Sequence, residues 1–230
     1  MDISRLKRAV TDADVPWVGV AIRRNLPDTS RHTGIIYRAA AGELRMADMA
    51  WHEVFRDQAY NPAWDYYCAV PHFEDPIIEE SFADYCAHVS ASASQRQPPY
   101  NLLAANPALF DQSGRWVSTD PDVGLNCSSF VVSVFHSYNV PLVRIGTWPV
   151  GLPKDIQEQT TLVYKMMHSG RPQDHAQSLK IALQIGKHPR IRPEETAGAC
   201  LEDEKDRPVD GARGAANGLL VLKEWDDHHP

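Results

Sequence analysis

Short apolar segments separated by turn-forming residues occupy the first part of the chain. Residues 15–22, 32–37 and 44–51 are each rich in β-branched, aromatic or other apolar side chains and are flanked by turn-forming or charged residues, which predicts three strands. The connections between them are short, as between consecutive antiparallel strands. Residues 66–70 are a weaker candidate for a fourth strand. The pattern therefore predicts an antiparallel β-meander.

Helical spacing replaces this pattern further along the chain. Over 76–89 the apolar residues recur at helical intervals, and Pro76 occupies the favoured first position of a helix. The run 126–138 starts at Asn126, a good N-cap residue, and a proline follows it, so we predict a buried helix there. Residues 90–121 are rich in Ser, Ala, Gln, Pro and Asn and are expected to form a long connection.

Two further helices are predicted at 154–169 and 172–186. Because strands come first and helices follow, the order of elements favours an α+β fold over a doubly wound sheet. Beyond residue 193 the chain becomes acidic and rich in Gly, Ala and Asp. We therefore expect residues 1–195 to fold together and 196–230 to form an acidic, partly flexible C-terminal tail.

Composition and charge narrow the classes of function. The chain has 230 residues, of which 43% are hydrophobic, and a net charge of -7, which argues against nucleic acid as a partner. No apolar run approaches the roughly 18 residues that a membrane-spanning helix needs, so we expect no transmembrane segment. No signal peptide is readable after Met1, and the default expectation is a cytoplasmic protein.

The four cysteines show no CxxC pair and no short metal-ligand spacing; they are Cys68, Cys86, Cys127 and Cys200. In a reducing compartment free thiols are expected. We therefore expect no cofactor and no metal, and the local sequence around each cysteine becomes the informative feature.

Cys127 has the sequence context of a nucleophile. It follows a turn that contains Gly124 and lies in the first turn of the helix predicted at 126–138, where the helix dipole and free N–H groups favour a thiolate. The same N–H groups, that of Cys127 in particular, are placed to hold the oxyanion of a tetrahedral intermediate. The alternative is that Cys127 is a small apolar residue of a buried helix.

His32 opens an apolar strand, and Asp48 interrupts the next strand. With a three-residue loop at 39–41, Arg38 pairs with Gly42, and the same register sets Asp48 directly opposite His32 on one face of the sheet. The carboxylate would then orient the imidazole as a general base toward the cysteine.

A different loop would change the third member of this group. A two-residue loop at 41–42 places Trp51 opposite His32. In that register His52 or Glu53 becomes the alternative partner of the imidazole.

Two segments together resemble one protein superfamily. Residues 32–37, His-Thr-Gly-Ile-Ile-Tyr, followed by a turn and a strand with a polar residue, resemble the histidine strand of papain-like NlpC/P60 proteins. Residues 126–131, Asn-Cys-Ser-Ser-Phe-Val, resemble their cysteine helix. The histidine precedes the cysteine, as in the circularly permuted branch that includes lecithin:retinol acyltransferase-like and related bacterial proteins. The resemblance covers 15–51 and 122–140.

The resemblance implies a papain-like α+β fold, with the antiparallel meander packed against the cysteine-bearing helix and additional helices around them. It also implies that Cys127 is the nucleophile, His32 the base and Asp48 the third polar residue. Residues 52–121 do not follow the pattern and are interpreted as an insertion that forms the substrate region of a catalytic domain spanning 1–195.

The implied function is that of a cysteine-dependent hydrolase or acyltransferase that acts through an acyl-thioester on a peptide or acyl substrate. Amide bonds of peptidoglycan stem peptides come first, and lipid or other acyl esters second. A substrate outside the cytoplasm would require a specialised secretion route. The alternative is a non-catalytic binding or immunity-type module on a papain-like scaffold, with the acidic stretch 61–130 as its contact surface. The sequence leaves the oligomeric state open.

Overall fold

The apolar strand segments pair into one antiparallel sheet. A computed structural model describes residues 1–8, 14–15, 17–25, 30–61, 66–102, 109–120 and 123–228. Within these ranges the fold is mixed α/β, with a six-stranded sheet and six α-helices, in agreement with the α+β class. All strand neighbours in the sheet run antiparallel.

The strands are β1 (Leu6–Arg8), β2 (Val18–Asn25), β3 (Ser30–Arg38), β4 (Leu44–Trp51), β5 (Val54–Ala59) and β6 (Tyr67–Ala69), in the spatial order β1-β6-β2-β3-β4-β5. Strands β2, β3 and β4 confirm the predicted meander, and β6 confirms the weaker candidate. The apolar pattern does not predict β1 and β5. β1 has only three residues, and β5 carries charged and amide side chains in a strand at the edge of the sheet.

The helices are α1 (Pro76–Arg96), α2 (Cys127–Ser137), α3 (Pro153–Met167), α4 (Pro172–Ala182), α5 (Pro193–Cys200) and α6 (Gly211–His228). The first four confirm the helices predicted from apolar spacing. α1 is longer than predicted and ends at Arg96, because buried Ser90 and Ala93 continue its inward face. The predicted long connection therefore starts seven residues later than 90.

Helices α1 and α2 pack on one face of the sheet. The ring of Phe130 in α2 meets that of Phe55 in β5 edge to face, with centroids 5.2 Å apart. Ile35 of β3 points into this core, whereas its neighbour Ile36 packs in a smaller cluster on the opposite face. Because α2 contacts both β3 and β4, this packing fixes its first residue near the centre of the meander.

Residues 196–228 do not form a flexible tail, so that prediction is wrong for this range. α5 is buried along its whole length, and α6 packs along it. A Cβ on Gly198 would lie 2.7 Å from the Cβ of Asn217, so the helix backbones approach closely because glycine has no side chain. The Gly- and Ala-rich composition that suggested disorder here permits tight helix packing.

Residues 52–121, interpreted as an insertion relative to the family pattern, contribute several elements to the fold in the ranges that the structure describes. Strands β5 and β6 complete the sheet on either side of the meander, and α1 supplies core residues. The described residues of this segment are therefore part of the main core. Among the helices in the described ranges, none combines the length and apolar character needed to cross a bilayer.

Candidate active site

The start of α2 is fixed by a capping box. The side chain of Asn126 accepts a hydrogen bond from the backbone N–H of Ser129 (2.9 Å), and the hydroxyl of Ser129 accepts one from the backbone N–H of Asn126 (2.8 Å). Asn126 also donates through Nδ2 to the carbonyl of Asn101 (3.1 Å). These bonds hold Cys127 as the first residue of the helix, as the sequence predicts.

Cys127 differs from the other cysteines in its exposure. Cys68, Cys86 and Cys200 are buried, whereas Cys127 is half-buried, and all four thiols are free. Burial raises the pKa of the Cys86 thiol well above its ordinary value and raises that of Cys200 to about 12. Cys127 is therefore the one cysteine of the four that is not fully buried, and it is the first residue of α2.

The predicted register between β3 and β4 is wrong by two residues. Arg38 pairs with Leu44 rather than with Gly42, and Ile35 pairs with Ala47. The loop is closed by a hydrogen bond from the Gly42 N–H to the carbonyl of Ala39 (2.8 Å), and Gly42 has a φ of +83°, which favours glycine. Gly42 thus belongs to the turn, and the loop is longer than the predicted three residues.

A shift of two residues keeps every side chain on its predicted face. Asp48 therefore still contacts His32, now along the diagonal between neighbouring positions, and its carboxylate oxygen Oδ2 bonds Nε2 of the imidazole. A Cβ on Gly34 would lie 2.9 Å from the Cβ of Asp48. Glycine at position 34 leaves the space through which Asp48 reaches the imidazole.

Arg56 of β5 is a third member of this group, and the apolar pattern of the sequence does not indicate it. It pairs with Asp48 in the β4–β5 ladder. Its Nε donates to Oδ1 of Asp48 (2.9 Å), and its NH2 group donates to Oδ2. The sequence Val-Phe-Arg-Asp-Gln-Ala (54–59) does contain this arginine. Its position beside Asp48 follows only once the segment is known to be a strand paired with β4.

The charges of this group are mutually stabilised. His32 is 8% exposed and Asp48 is 1% exposed. Burial lowers the pKa of His32, but its hydrogen bonds with Asp48 and with Cys127 outweigh burial and raise the pKa to about 9. Burial raises the pKa of Asp48, but His32 and Arg56 outweigh it and hold that pKa below its ordinary value.

The pKa of the Cys127 thiol is shifted in the opposite direction to the pKa of the His32 imidazole. Burial raises its pKa, but the hydrogen bond and charge of His32 and a hydrogen bond with the backbone of Thr33 lower it below the ordinary value of 9.0. The nearby guanidinium of Arg190 acts in the same direction. A lowered thiol pKa beside a raised imidazole pKa favours a thiolate–imidazolium pair at neutral pH.

His52 and Glu53, the alternative third members, have other partners. Nδ1 of His52 accepts a hydrogen bond from the backbone N–H of Tyr100 (3.1 Å), and its Nε2 lies 3.9 Å from a carboxylate oxygen of Glu53. Burial lowers the pKa of His52. Of the three candidates, Asp48 is the carboxylate that the structure places against His32.

Two aromatic side chains, Trp51 and Tyr100, pack between the site and helix α4. The rings of Trp51 and Tyr100 lie 5.8 Å apart, centroid to centroid. The indole of Trp51 donates to buried Asp174 in α4 (2.7 Å), and Gln177 of α4 donates to the carbonyl of Tyr100 (2.6 Å). Burial first, and then the neighbouring Cys127, raise the pKa of Tyr100. Helix α4 thus holds the Trp51–Tyr100 pair in place, and Tyr100 lies near Cys127.

No grouping of three or more His, Cys, Asp or Glu side chains suited to holding a metal ion occurs in the described part of the chain. The arrangement of Cys127, His32 and Asp48 can supply a nucleophile, a proton carrier and an orienting carboxylate. No protein-family model matches the chain, and neither a curated protein nor a solved structure is significantly similar to it.

Proposed function

We propose that the chain is a cysteine-dependent hydrolase or acyltransferase. Cys127 is the nucleophile, His32 the general base and acid, and Asp48 the residue that orients His32. The observation that carries the proposal is a half-buried cysteine at the first residue of a helix, whose pKa is lowered by an imidazole that itself bonds a buried carboxylate. A helix N-terminus and a paired imidazole both activate a cysteine.

The surroundings of Cys127 favour an enzyme over a non-catalytic module. A cysteine that served only to fill a core would be sealed and protonated, as Cys86 is. Cys127 is half-buried, and its pKa is lowered rather than raised. Titratable groups with perturbed pKa values that meet at one position are typical of catalytic sites.

The first step starts from the thiolate–imidazolium pair. The sulfur of Cys127 attacks the acyl carbon of an amide or ester, and the carbonyl electron pair moves to the oxygen. The capping box uses the N–H groups of Asn126 and Ser129, which leaves those of Cys127 and Ser128 to donate to the oxyanion. The carbon–leaving-group bond then breaks, and the leaving group takes the proton from His32.

The second step returns the site to its starting state. Because Nε2 of His32 bonds Asp48, Nδ1 is the nitrogen left to exchange protons at the thiol. Neutral His32 removes a proton from water, or from an acceptor hydroxyl or amine in an acyltransferase, and the resulting oxygen or nitrogen nucleophile attacks the thioester. The carbon–sulfur bond breaks, which releases the product and the thiolate.

We further propose a circularly permuted papain-like arrangement of these parts. Strands β2 to β5 form a meander against α2, and the histidine strand precedes the cysteine helix in the chain. Amide bonds of peptidoglycan stem peptides are therefore the first substrates to test. Acyl esters come second, because one scaffold serves several substrates.

The experiment is an acylation assay with p-nitrophenyl acetate. We expect a burst of p-nitrophenol, with one acetyl group located on Cys127 by mass spectrometry. Cys127→Ala should lose the burst and the adduct, and His32→Ala should slow acylation on the order of 10²–10⁴-fold. Cys86→Ala, a buried thiol, is the matched control and should leave the burst unchanged. Acetylation spread over other residues, with no dependence on His32, would reject the proposal.

A further inference from the structure

Helix α6 carries apolar side chains on two opposite faces. Its inward face includes Val221 and Trp225, which join the main core. Its outward face carries five exposed apolar residues at helical spacing, which we call the α6 stripe: Ala212, Ala215, Ala216, Leu219 and Leu220. Leu219 is 68% exposed and Leu220 is 50% exposed. A helix packed on one face normally turns polar residues to water on the other, so the α6 stripe has the composition of a contact surface.

The α6 stripe is complementary in shape to itself. Its N-terminal half is made of alanines, and its C-terminal half is made of leucines followed by Lys223. A two-fold axis that crosses α6 between positions 217 and 218 brings the large half of one copy against the small half of the other. The facing pairs are then Ala212 with Lys223, Ala215 with Leu220, and Ala216 with Leu219. Leucines over alanines allow two helices to interdigitate closely.

The charges at the two ends of the α6 stripe are also complementary under this symmetry. Lys223 is exposed at one end, and no ion pair of it occurs within the described ranges. Asp210 is exposed directly before α6, where it accepts a hydrogen bond from the Arg213 N–H (2.8 Å). The two-fold axis places Lys223 beside Asp210 of the second copy, twice in each dimer. It also brings the exposed, C-terminal Asp227 toward the positive N-terminal end of the facing helix.

From these observations we propose that the chain forms an antiparallel homodimer through the α6 stripe. Two facing helices of this length bury less than the ~1,200–2,000 Å² of a standard stable interface. The dimer therefore dissociates on dilution. Its partner is a second copy of this chain rather than a membrane or a different protein, because both the small-to-large gradient and the Lys223–Asp210 charges match under one axis.

Sedimentation velocity of the full chain over a range of concentrations tests the proposal. We expect a dimer at high concentration that converts to monomer on dilution. Leu219→Glu should remain monomeric at every concentration, because it places a carboxylate in the interface. Leu183→Glu, at a 72% exposed leucine at the end of α4, is the matched control and should dimerise like the wild type. Circular dichroism establishes that both variants are folded.

A charge exchange tests the geometry of the interface. Lys223→Asp and Asp210→Lys should each weaken the homodimer, because each places like charges together twice. An equimolar mixture of the two variants should form heterodimers as tightly as the wild type, since both pairs are then attractive. The mixing experiment also distinguishes a lost charge pair from a loss of helix capping in Asp210→Lys, because adding the second variant would not repair a capping defect.

Three results would overturn the proposal. The first is a wild-type chain that is monomeric at every concentration, including one that binds lipid vesicles or another protein instead. The second is a dimer that survives Leu219→Glu. The third is a mixture of the two charge variants that is no more dimeric than either variant alone.

Discussion

Asp48 bonds His32 diagonally across the sheet, over the backbone of Gly34, rather than from the directly opposite position. The strand register places the side chains of His32 and Asp48 on the same face and within reach, but not directly opposite each other. Their contact requires that no side chain project from position 34, which lies between them. A Cβ at position 34 would lie 2.7 Å from the carbonyl oxygen of Ala47. The sheet around His32 is therefore organised by the absence of a side chain as well as by the presence of a carboxylate.

Gly34→Ala should separate Asp48 from His32. The added methyl group must displace β4, and overpacking of this kind costs about 1–3 kcal/mol. We expect a lower free energy of unfolding and acylation of Cys127 slowed to the level of an Asp48 variant. Gly146→Ala is the control, because its Cβ would meet no atom within 4 Å. Urea denaturation and the burst assay measure both effects, and equal behaviour of the two variants would contradict the steric argument.

Alkylation by iodoacetamide should select Cys127 below the pH at which ordinary thiols react. Its lowered pKa makes a larger fraction of it thiolate at a given pH than in an ordinary thiol, whereas Cys68, Cys86 and Cys200 are buried and have raised pKa values. Mass spectrometry of the native protein at several pH values should show one carbamidomethyl group on Cys127.

His32→Ala should move the alkylation profile of Cys127 to higher pH, because the hydrogen bond and the positive charge that stabilise the thiolate are removed. Arg144→Ala, an exposed cation outside this group of contacts, should leave the profile unchanged. A profile that is the same with and without His32 would show that the imidazole does not activate the thiol.

The apolar pattern predicted the parts of the site that lie on the strands and the helix that it identified. Cys127 could be placed because an N-cap residue, an apolar run and a following proline mark a helix independently of its neighbours. The face shared by His32 and Asp48 could be placed because strand side chains alternate with period two. Both inferences depend on local geometry alone, and both hold in the structure.

The remaining parts depend on tertiary packing, which apolar pattern does not encode. The register between β3 and β4 depended on whether Gly42 belongs to the paired strand or to the turn. Its positive φ places it in the turn. Arg56 lies on an edge strand, and the polar composition of that strand gives no apolar pattern from which to predict it. Residues 196–228 were expected to be partly flexible because their composition is acidic and rich in glycine and alanine, whereas the close contact between α5 and α6 requires such small residues.

Asp48→Asn should slow catalysis without removing the nucleophile. An amide does not stabilise the imidazolium, so the His32 pKa should fall from its raised value and the thiolate should be less populated. We expect the rate of Cys127 acylation to fall on the order of 10²–10⁴-fold, with a pH profile displaced toward higher pH.

Arg56→Gln should reproduce a weaker form of the Asp48→Asn effect, because Asp48 keeps His32 but loses the guanidinium that holds its carboxylate. Arg45→Gln, which removes the ion pair with Asp57 on the same pair of strands, is the matched control and should keep the wild-type pH profile. A rate loss in Arg56→Gln with no change in the pH profile would assign Arg56 a structural role only.

The thiolate–imidazolium pair makes a specific prediction for stability against pH. The folded-state pKa of His32 is raised from 6.5 to about 9. The stabilisation of the folded state by protonated His32 is therefore complete below pH 6.5 and is lost as the pH rises through about 9. The pKa of Cys127 is lowered from 9.0, so its contribution is present above 9.0 and is lost as the pH falls through the lowered value. The two contributions oppose each other in the part of the range between 6.5 and 9 that lies above the lowered pKa of Cys127, so the wild-type free energy of unfolding should vary less with pH there than either group alone would cause.

Cys127→Ala should remove this compensation. Asp48 still holds the imidazolium, so we expect the free energy of unfolding to decrease as the pH rises above 6.5 in the variant. Urea denaturation at several pH values measures both slopes, and Cys86→Ala provides a thiol variant without the charge pair. Parallel pH dependence in wild type and Cys127→Ala would mean that the two groups do not share a proton in the folded state.

Trp225→Ala should destabilise the whole protein, because the C-terminal helix belongs to its core. The indole lies 4.6 Å from the ring of Tyr67 in β6, centroid to centroid, so α6 is anchored to the sheet that carries His32. Truncation of a buried Trp costs about 3–5 kcal/mol, and unfolding should remain a single transition. Leu183→Ala removes an exposed apolar side chain and should change stability little. A separate early transition, with the acylation burst retained after it, would mean that residues 196–228 unfold independently of the catalytic part.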